Sequence, residues 1–234
     1  MRTVLLWSAA GFVCFLLLFV VVSIRVSQRS GPLLDLEIDD LFFRHRIGAV
    51  TMIMKLATLP GTKTGALLLA AGGGLWAWWT HRNVLLVFVP LVVYALTLIA
   101  VTISKHVIDR VPPHHATGSD AAEHGLSFPS GHMALAVGVL GIVVVIASAR
   151  LDRRGTIIVT ALGAAVAAGV GLSRIYLQRH WLTDIVGGFA IAGLVLSVIT
   201  PVVYLLLALR PTNIVDNLSR AQPSGAVNEV PGNS

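Results

Sequence analysis

Long apolar runs separated by short polar segments set the plan of this chain. The runs cover residues 4–24, 64–80, 84–104, 133–149, 156–172 and 185–209. Each reaches the ~17 residues that a helix needs to cross a bilayer. The pattern predicts an all-α polytopic membrane protein with six transmembrane helices. Between the first and second runs the pattern changes. Gly31-Pro32 breaks the helix, and Leu33, Leu34, Leu36, Ile38, Leu41, Phe42 and Phe43 then alternate with Asp35, Glu37, Asp39 and Asp40. That predicts a short amphipathic piece at the membrane interface with its acids facing water. Residues 47–59 are apolar but interrupted by Lys55 and ended by Pro60-Gly61. They are too short to span and are expected to be interfacial or re-entrant. Three regions follow: residues 1–63 (first span plus interfacial segment), a core at 64–210, and a polar tail at 211–234 expected to be disordered.

Composition narrows the class. Of the 234 residues 56% are hydrophobic and 12% charged, about half the charged share of a soluble domain, so a soluble helical protein is excluded. The formal charge of +6 comes from Lys and Arg scattered through the loops with no basic stripe, which excludes a nucleic-acid footprint. Cys14 is the single cysteine, so no internal disulfide can form. The first run is longer than a signal-peptide core, and Ser23-Ile24-Arg25 is a poor cleavage site, so an uncleaved span is expected. Trp76, Trp78 and Trp79 crowd the end of the second run, as an aromatic belt would.

Three polar clusters interrupt the apolar pattern: 105–113, 128–132 and 173–184. Alternation of six spans puts all three on one membrane face. His180 and Asp184 are four apart, one turn on a helix, and a carboxylate beside an imidazole fixes its tautomer and supports its charged form. Arg174, beside Ser173, is a planar multi-donor partner for phosphate oxygens. Ser130-Gly131-His132 opens the fourth run, where free backbone N–H groups and the helix dipole suit an anion. Gly131 permits close backbone approach. Lys105 and Arg110 add positive charge. Two histidines, one acid and three cations describe a site for a phosphoryl group, with histidine as nucleophile or acid.

Phe-Pro-Ser-Gly-His at 128–132 and Ser-Arg-x5-His-x3-Asp at 173–184 resemble the second and third signatures of the type 2 phosphatidic acid phosphatase (PAP2) superfamily. The first signature, Lys-x6-Arg-Pro, is matched at Lys105 but carries Pro112 in place of the arginine. Arg110 matches a second arginine that many relatives have. The resemblance implies roles. His180 resembles the nucleophile that forms a phosphohistidine, Asp184 the group that raises its basicity, and His132 the general acid. Lys105, Arg174 and Arg110 resemble the phosphate clamp, and Ser130, Gly131 and Ser173 further phosphate contacts. No metal or other cofactor is implied.

The expected function is hydrolysis of a phosphomonoester or pyrophosphate on a lipid that stays in the bilayer. Polyprenyl pyrophosphate, phosphatidic acid and phosphatidylglycerol phosphate are candidates. The alternatives are a lipid phosphotransferase, and a non-catalytic transporter or lipid-binding protein with a degenerate site, to which Pro112 gives support. The expected place is the cell (plasma or inner) membrane. The basic hairpin Arg150, Arg153 and Arg154 argues that the opposite face is cytoplasmic, while the first loop, with Arg25, Arg29, Arg44, Arg46, Lys55 and Lys63, argues the other way; the site is expected on the non-cytoplasmic face.

Overall fold

The computed structural model describes residues 1–28, 32–113 and 126–208. The expected polar tail lies outside the described residues, as do His114, His115 and His124. Every regular element among the described residues is helical: α1 (Arg2–Val26), α2 (Leu33–Arg44), α3 (Gly48–Ala57), a short 3-10 turn (Leu59–Gly61), α4 (Lys63–His81), α5 (Leu85–Ile108), α6 (Gly131–Ser148), α7 (Arg153–Tyr176) and α8 (Leu182–Ala208). Five of them, α1, α5, α6, α7 and α8, are long and apolar enough to cross a membrane, and the chain is a multi-pass membrane protein. The run expected as the second span forms the helix α4, but with Lys63, the glycine triplet and the tryptophans it is not among the helices apolar enough to cross, so five of the six expected spans are shown.

α6 is the central helix. It packs against α4, α5, α7 and α8, while α1 lies along α8. Its buried face runs through Ala134, Leu135, Gly138, Val139, Ile142 and Ile146. Ile142 and Ile146 join Leu86, Val93 and Val203 in one apolar cluster. Burying a core side chain of this kind is worth ~1.5–3 kcal/mol against water. Between helices in lipid that driving force is absent, and close packing replaces it. Glycines make the approach possible. A Cβ on Gly74 would lie 2.3 Å from the carbonyl oxygen of Val87, and one on Gly188 2.4 Å from that of Ser130. Local chemistry sets the helix ends. Thr62 caps α4 by accepting from the Gly65 N–H (2.9 Å), and Asp152 caps α7 by accepting from the Gly155 N–H (2.8 Å). Asp109 ends α5 in the left-handed conformation (φ 49°).

The segment between α1 and α4 corrects one expectation. The periodicity of 33–44 does make an amphipathic helix, but its acids do not all face water. Asp35 and Asp39 are buried at 2% and 7% exposure, while Leu33, Leu34, Leu36, Leu41 and Phe43 point outward. α2 is turned inside out relative to a helix on a soluble protein. Its polar stripe meets α7 and α8, because those elements offer partners for carboxylates and lipid does not. α3 packs on α7 and is tied there through Tyr176, whose hydroxyl accepts from the Ile47 N–H (2.9 Å) and donates to the Ile47 carbonyl (3.1 Å).

Candidate active site

The alternating directions of α4 to α8 bring one end of each to the same place. There a cavity of about 620 Å³ opens. Its wall includes Thr62, Lys63 and Thr64 at the start of α4, and Thr102 and Lys105 near the end of α5. Gly131 and His132 come from the start of α6, Arg174 from the end of α7, and Arg179 and His180 from the turn before α8. Two helix N-termini, those of α4 and α6, therefore face it with their free N–H groups and positive dipole ends. Among the described residues four cationic side chains line it, Lys63, Lys105, Arg174 and Arg179, and no carboxylate does. Such an excess of positive charge in a partly closed space is complementary to an anion carrying several charges.

The histidine at the cavity is held from behind. His180 Nδ1 meets Asp184 Oδ2 at 3.3 Å, and the same oxygen accepts the Trp181 N–H at 3.0 Å. Asp184 is fully buried. With Nδ1 on the carboxylate, Nε2 is left for the cavity. Burial pushes the pKa of His180 below its ordinary 6.5, against the opposing pull of Asp184, and the charges of Arg174 and Lys105 push the same way as burial. The imidazole is thus neutral near pH 7, with a free lone pair on Nε2, as a nucleophile requires.

α6 is seated so that His132 arrives opposite. Ser130 caps the helix, its Oγ accepting from the Met133 N–H (3.5 Å), and its own N–H donates to the Asp184 carbonyl (2.9 Å). The Phe128-Pro129 peptide is cis. Phe128 is fully buried and stacks on Phe19. Gly187 and Gly188 of α8 leave room for this turn: a Cβ on Gly187 would lie 2.5 Å from the Phe128 ring. Gly61 presses on the same helix from the other side, with space for a Cβ filled by the His132 carbonyl at 2.6 Å. Lys105 Nζ donates to the Leu126 carbonyl, and Arg174 Nη1 donates to Thr58 Oγ1 (3.3 Å). Both cations are therefore anchored at the cavity edge.

Of the residues named from the sequence, the structure brings Lys105, Gly131, His132, Arg174 and His180 to the cavity wall, with Asp184 directly behind. It does not bring Arg110, Ser130 or Ser173 there. Arg110 turns away, and its guanidinium bonds Asp184 Oδ1 (2.6 Å), Thr183 Oγ1 (2.7 Å) and Asp35 Oδ2 (2.7 Å) and lies over the Trp181 ring. Two buried carboxylates hold it there. Ser130 is fully buried with its hydroxyl used as a cap, and Ser173 donates its hydroxyl back to the Val170 carbonyl (2.6 Å). Pro112, where the usual arginine is missing, does line the cavity. Lys63 and Arg179 were not expected there. Their position next to helix-opening or signature residues was the one available signal, and it is weak. Among the described residues no group of three or more His, Cys, Asp or Glu stands close enough to hold a metal ion.

No curated protein sequence matches the chain. Among solved structures, the chain is similar in fold to the first transmembrane PAP2 type phosphatidylglycerolphosphate phosphatase from Bacillus subtilis. The TM-score is 0.73 at 24% identity, over 82% of this chain and 94% of that one. The model of the PAP2 superfamily matches residues 86–207, a stretch that holds all three polar clusters. That match covers more than half of the 234 residues, and the chain belongs to the PAP2 superfamily.

Proposed function

We propose that the protein is an integral membrane lipid phosphatase that cleaves a phosphomonoester or pyrophosphate through a phosphohistidine at His180. One observation carries this reading. A neutral histidine, held by a buried carboxylate, opens onto a cavity lined, among the described residues, by four cations and no acid. The phosphoryl group sits among Lys63, Lys105, Arg174 and Arg179, with N–H groups of the α6 N-terminus as further donors. His180 Nε2 attacks phosphorus, the bond from phosphorus to the lipid oxygen breaks, and His132 protonates that oxygen. Water then attacks the phosphohistidine, giving its proton to His132. The P–N bond breaks, and inorganic phosphate leaves with the site restored. Positioning and charge stabilisation are what such a transfer demands of a protein.

The membrane setting fits a lipid substrate. The cavity lies at the ends of apolar helices, and Leu98, Val101 and Leu135 extend its wall from the charged end toward the bilayer core. The head can be bound while the tail remains in lipid. α4, at 19 residues, is about 28 Å long and serves as the sixth span. α2 and α3 lie at the interface, with the outward apolar side of α2 in the acyl layer. The basic residues of the α6–α7 turn support a non-cytoplasmic face for the cavity, against the basic residues of the segment between α1 and α4.

The test is phosphate release by purified protein in detergent, with chelator present, from polyprenyl pyrophosphate, phosphatidic acid and phosphatidylglycerol phosphate. Release from at least one of them that is lost in His180→Ala and strongly reduced in His132→Ala is expected. Undiminished turnover in both variants refutes the mechanism.

A further inference from the structure

A heavily bonded, buried carboxylate lies outside the cavity wall. Asp35, on α2, is 2% exposed. Its Oδ1 accepts the Thr183 N–H at 3.0 Å. Its Oδ2 accepts the Thr183 hydroxyl at 2.5 Å and Arg110 Nη2 at 2.7 Å. The same guanidinium, through Nη1, reaches Asp184 Oδ1 at 2.6 Å. Asp184 Oδ2 in turn holds His180 Nδ1. A continuous chain of polar contacts thus runs from the interfacial helix through Arg110 and Asp184 to the histidine.

We infer that Asp35 is a positioning residue for the proposed reaction, acting through Arg110 and Asp184 on His180. The inference rests on the phosphohistidine reading of the site. Two physical effects support it. First, Asp35 caps α8 from outside: Thr183 is the second residue of that helix, its N–H has no partner within the helix, and an acid near the N-terminus is stabilising. That fixes the turn on which Asp184 and His180 stand. Second, Asp35 shares the charge of Arg110. A single Arg–Asp184 pair would be neutral and would offer little negative potential to His180. With Asp35 on the other side of the guanidinium, the trio keeps one net negative charge, and Asp184 remains able to support positive charge on the imidazole as phosphorus is attacked. A buried carboxylate is costly unless paired and hydrogen-bonded. Asp35 is both, on a helix whose other side faces outward.

The role separates from that of the cavity cations, because neither Asp35 nor Arg110 lines the cavity. His180 faces Asp184 from α8, Arg174 from α7, Lys105 from α5 and His132 from α6, with Arg179 next to it in the chain. Asp35→Asn keeps the shape and removes the charge. Its kcat should fall by about 10- to 100-fold with KM within about threefold, since alignment and not binding is lost. The acid limb of its kcat profile should move to lower pH, because less negative charge then favours the imidazolium. Arg110→Lys keeps a cation but cannot span two carboxylates, and should show the same split. Asp35→Asn/Arg110→Gln should lose no more than Arg110→Gln alone, since Asp35 acts through that side chain.

All four proteins, the three variants above and Arg110→Gln, would be compared with wild type in detergent on the best lipid phosphate, after confirming a monodisperse state. Wild-type kcat and pH profile in Asp35→Asn would overturn the inference. So would a raised KM with unchanged kcat in Arg110→Lys, which would place Arg110 on the phosphate. Should Asp35→Asn fail to fold, Arg110→Lys decides alone. Absence of release by wild type would instead remove the phosphatase reading, and this inference with it.

Discussion

Gly188→Ala perturbs the site without touching any group proposed for the chemistry. The new Cβ would lie 2.4 Å from the Ser130 carbonyl oxygen, 3.2 Å from Met133 Cβ and 3.3 Å from the Ala134 nitrogen. Ordinary contact begins at 3.4 Å, so α6 and α8 must part by about 1 Å at this level, and the neighbour is helix backbone that cannot rotate away. Overpacking of this kind costs ~1–3 kcal/mol. The 2.9 Å bond from the Ser130 N–H to the Asp184 carbonyl lies in the path of the shift, and its loss adds ~0.5–1.5 kcal/mol. The functional effect should be larger than the stability effect. His132 moves with α6 while His180 stays with Asp184 on α8, and a misplacement of ~1 Å can cost ~10²-fold in rate. Lys105 and Arg174 stand on α5 and α7, so KM should change much less than kcat. Phosphate release kinetics and thermal unfolding in detergent would be read together. Gly72→Ala serves as control, because a Cβ there meets nothing within 4 Å, and it should leave activity unchanged. Wild-type kcat in Gly188→Ala, with an unchanged melting temperature, would refute the claim that this contact sets the distance between the two histidines.

Other consequences are more direct. Arg174→Ala and Lys105→Ala should raise KM and lower kcat together, by roughly 10- to 10³-fold in kcat/KM, as expected for charges that bind phosphate in ground and transition states. Asp184→Asn should abolish most turnover and also lower stability by ~3–5 kcal/mol, because Arg110 would keep a buried charge with one of its two counterions gone; a fully active, equally stable variant would count against the pairing. His180 is buried neutral with its pKa lowered from 6.5, so the unfolded chain binds more protons than the folded one just below pH 6.5. Its contribution to stability is complete above 6.5 and declines as pH falls toward the lowered value. Melting temperatures measured from pH 7.5 to 5 should therefore fall more steeply for wild type than for His180→Gln. Pro112→Arg adds a cation at the cavity wall and should lower KM; an unchanged KM would mean that Lys63 and Arg179 already saturate the phosphate.

Much of this could be read from the chain, and the limits have physical causes. The long apolar runs located the spans because bilayer thickness imposes one length on them: residues 4–24 form α1 at Arg2–Val26, and 84–104 form α5 at Leu85–Ile108. The i, i+4 spacing of His180 and Asp184 predicted their contact, although His180 sits in the turn before α8 and not on the helix itself. The face of α2 was not legible. Its periodicity gives the helix, but in a membrane the apolar side can face lipid and the acids the protein, and only the partners Arg110 and Thr183 decide which. Arg110 was drawn to Asp35 by a contact 75 residues apart in sequence, which no local pattern encodes. Lys63 reaches the cavity because Gly61 lets the turn before α4 approach the His132 backbone, again a property of packing and not of spacing.

The measurement closest to the central claim is a phosphoenzyme trap. Wild-type protein would be mixed with a lipid phosphate labelled in its terminal phosphoryl group, quenched in alkali where phosphohistidine survives, and digested for mass spectrometry. A phosphoryl group on His180 in wild type, absent from His180→Ala, is the expected result. Rapid turnover with no label on His180, or with the label on another residue, would contradict it.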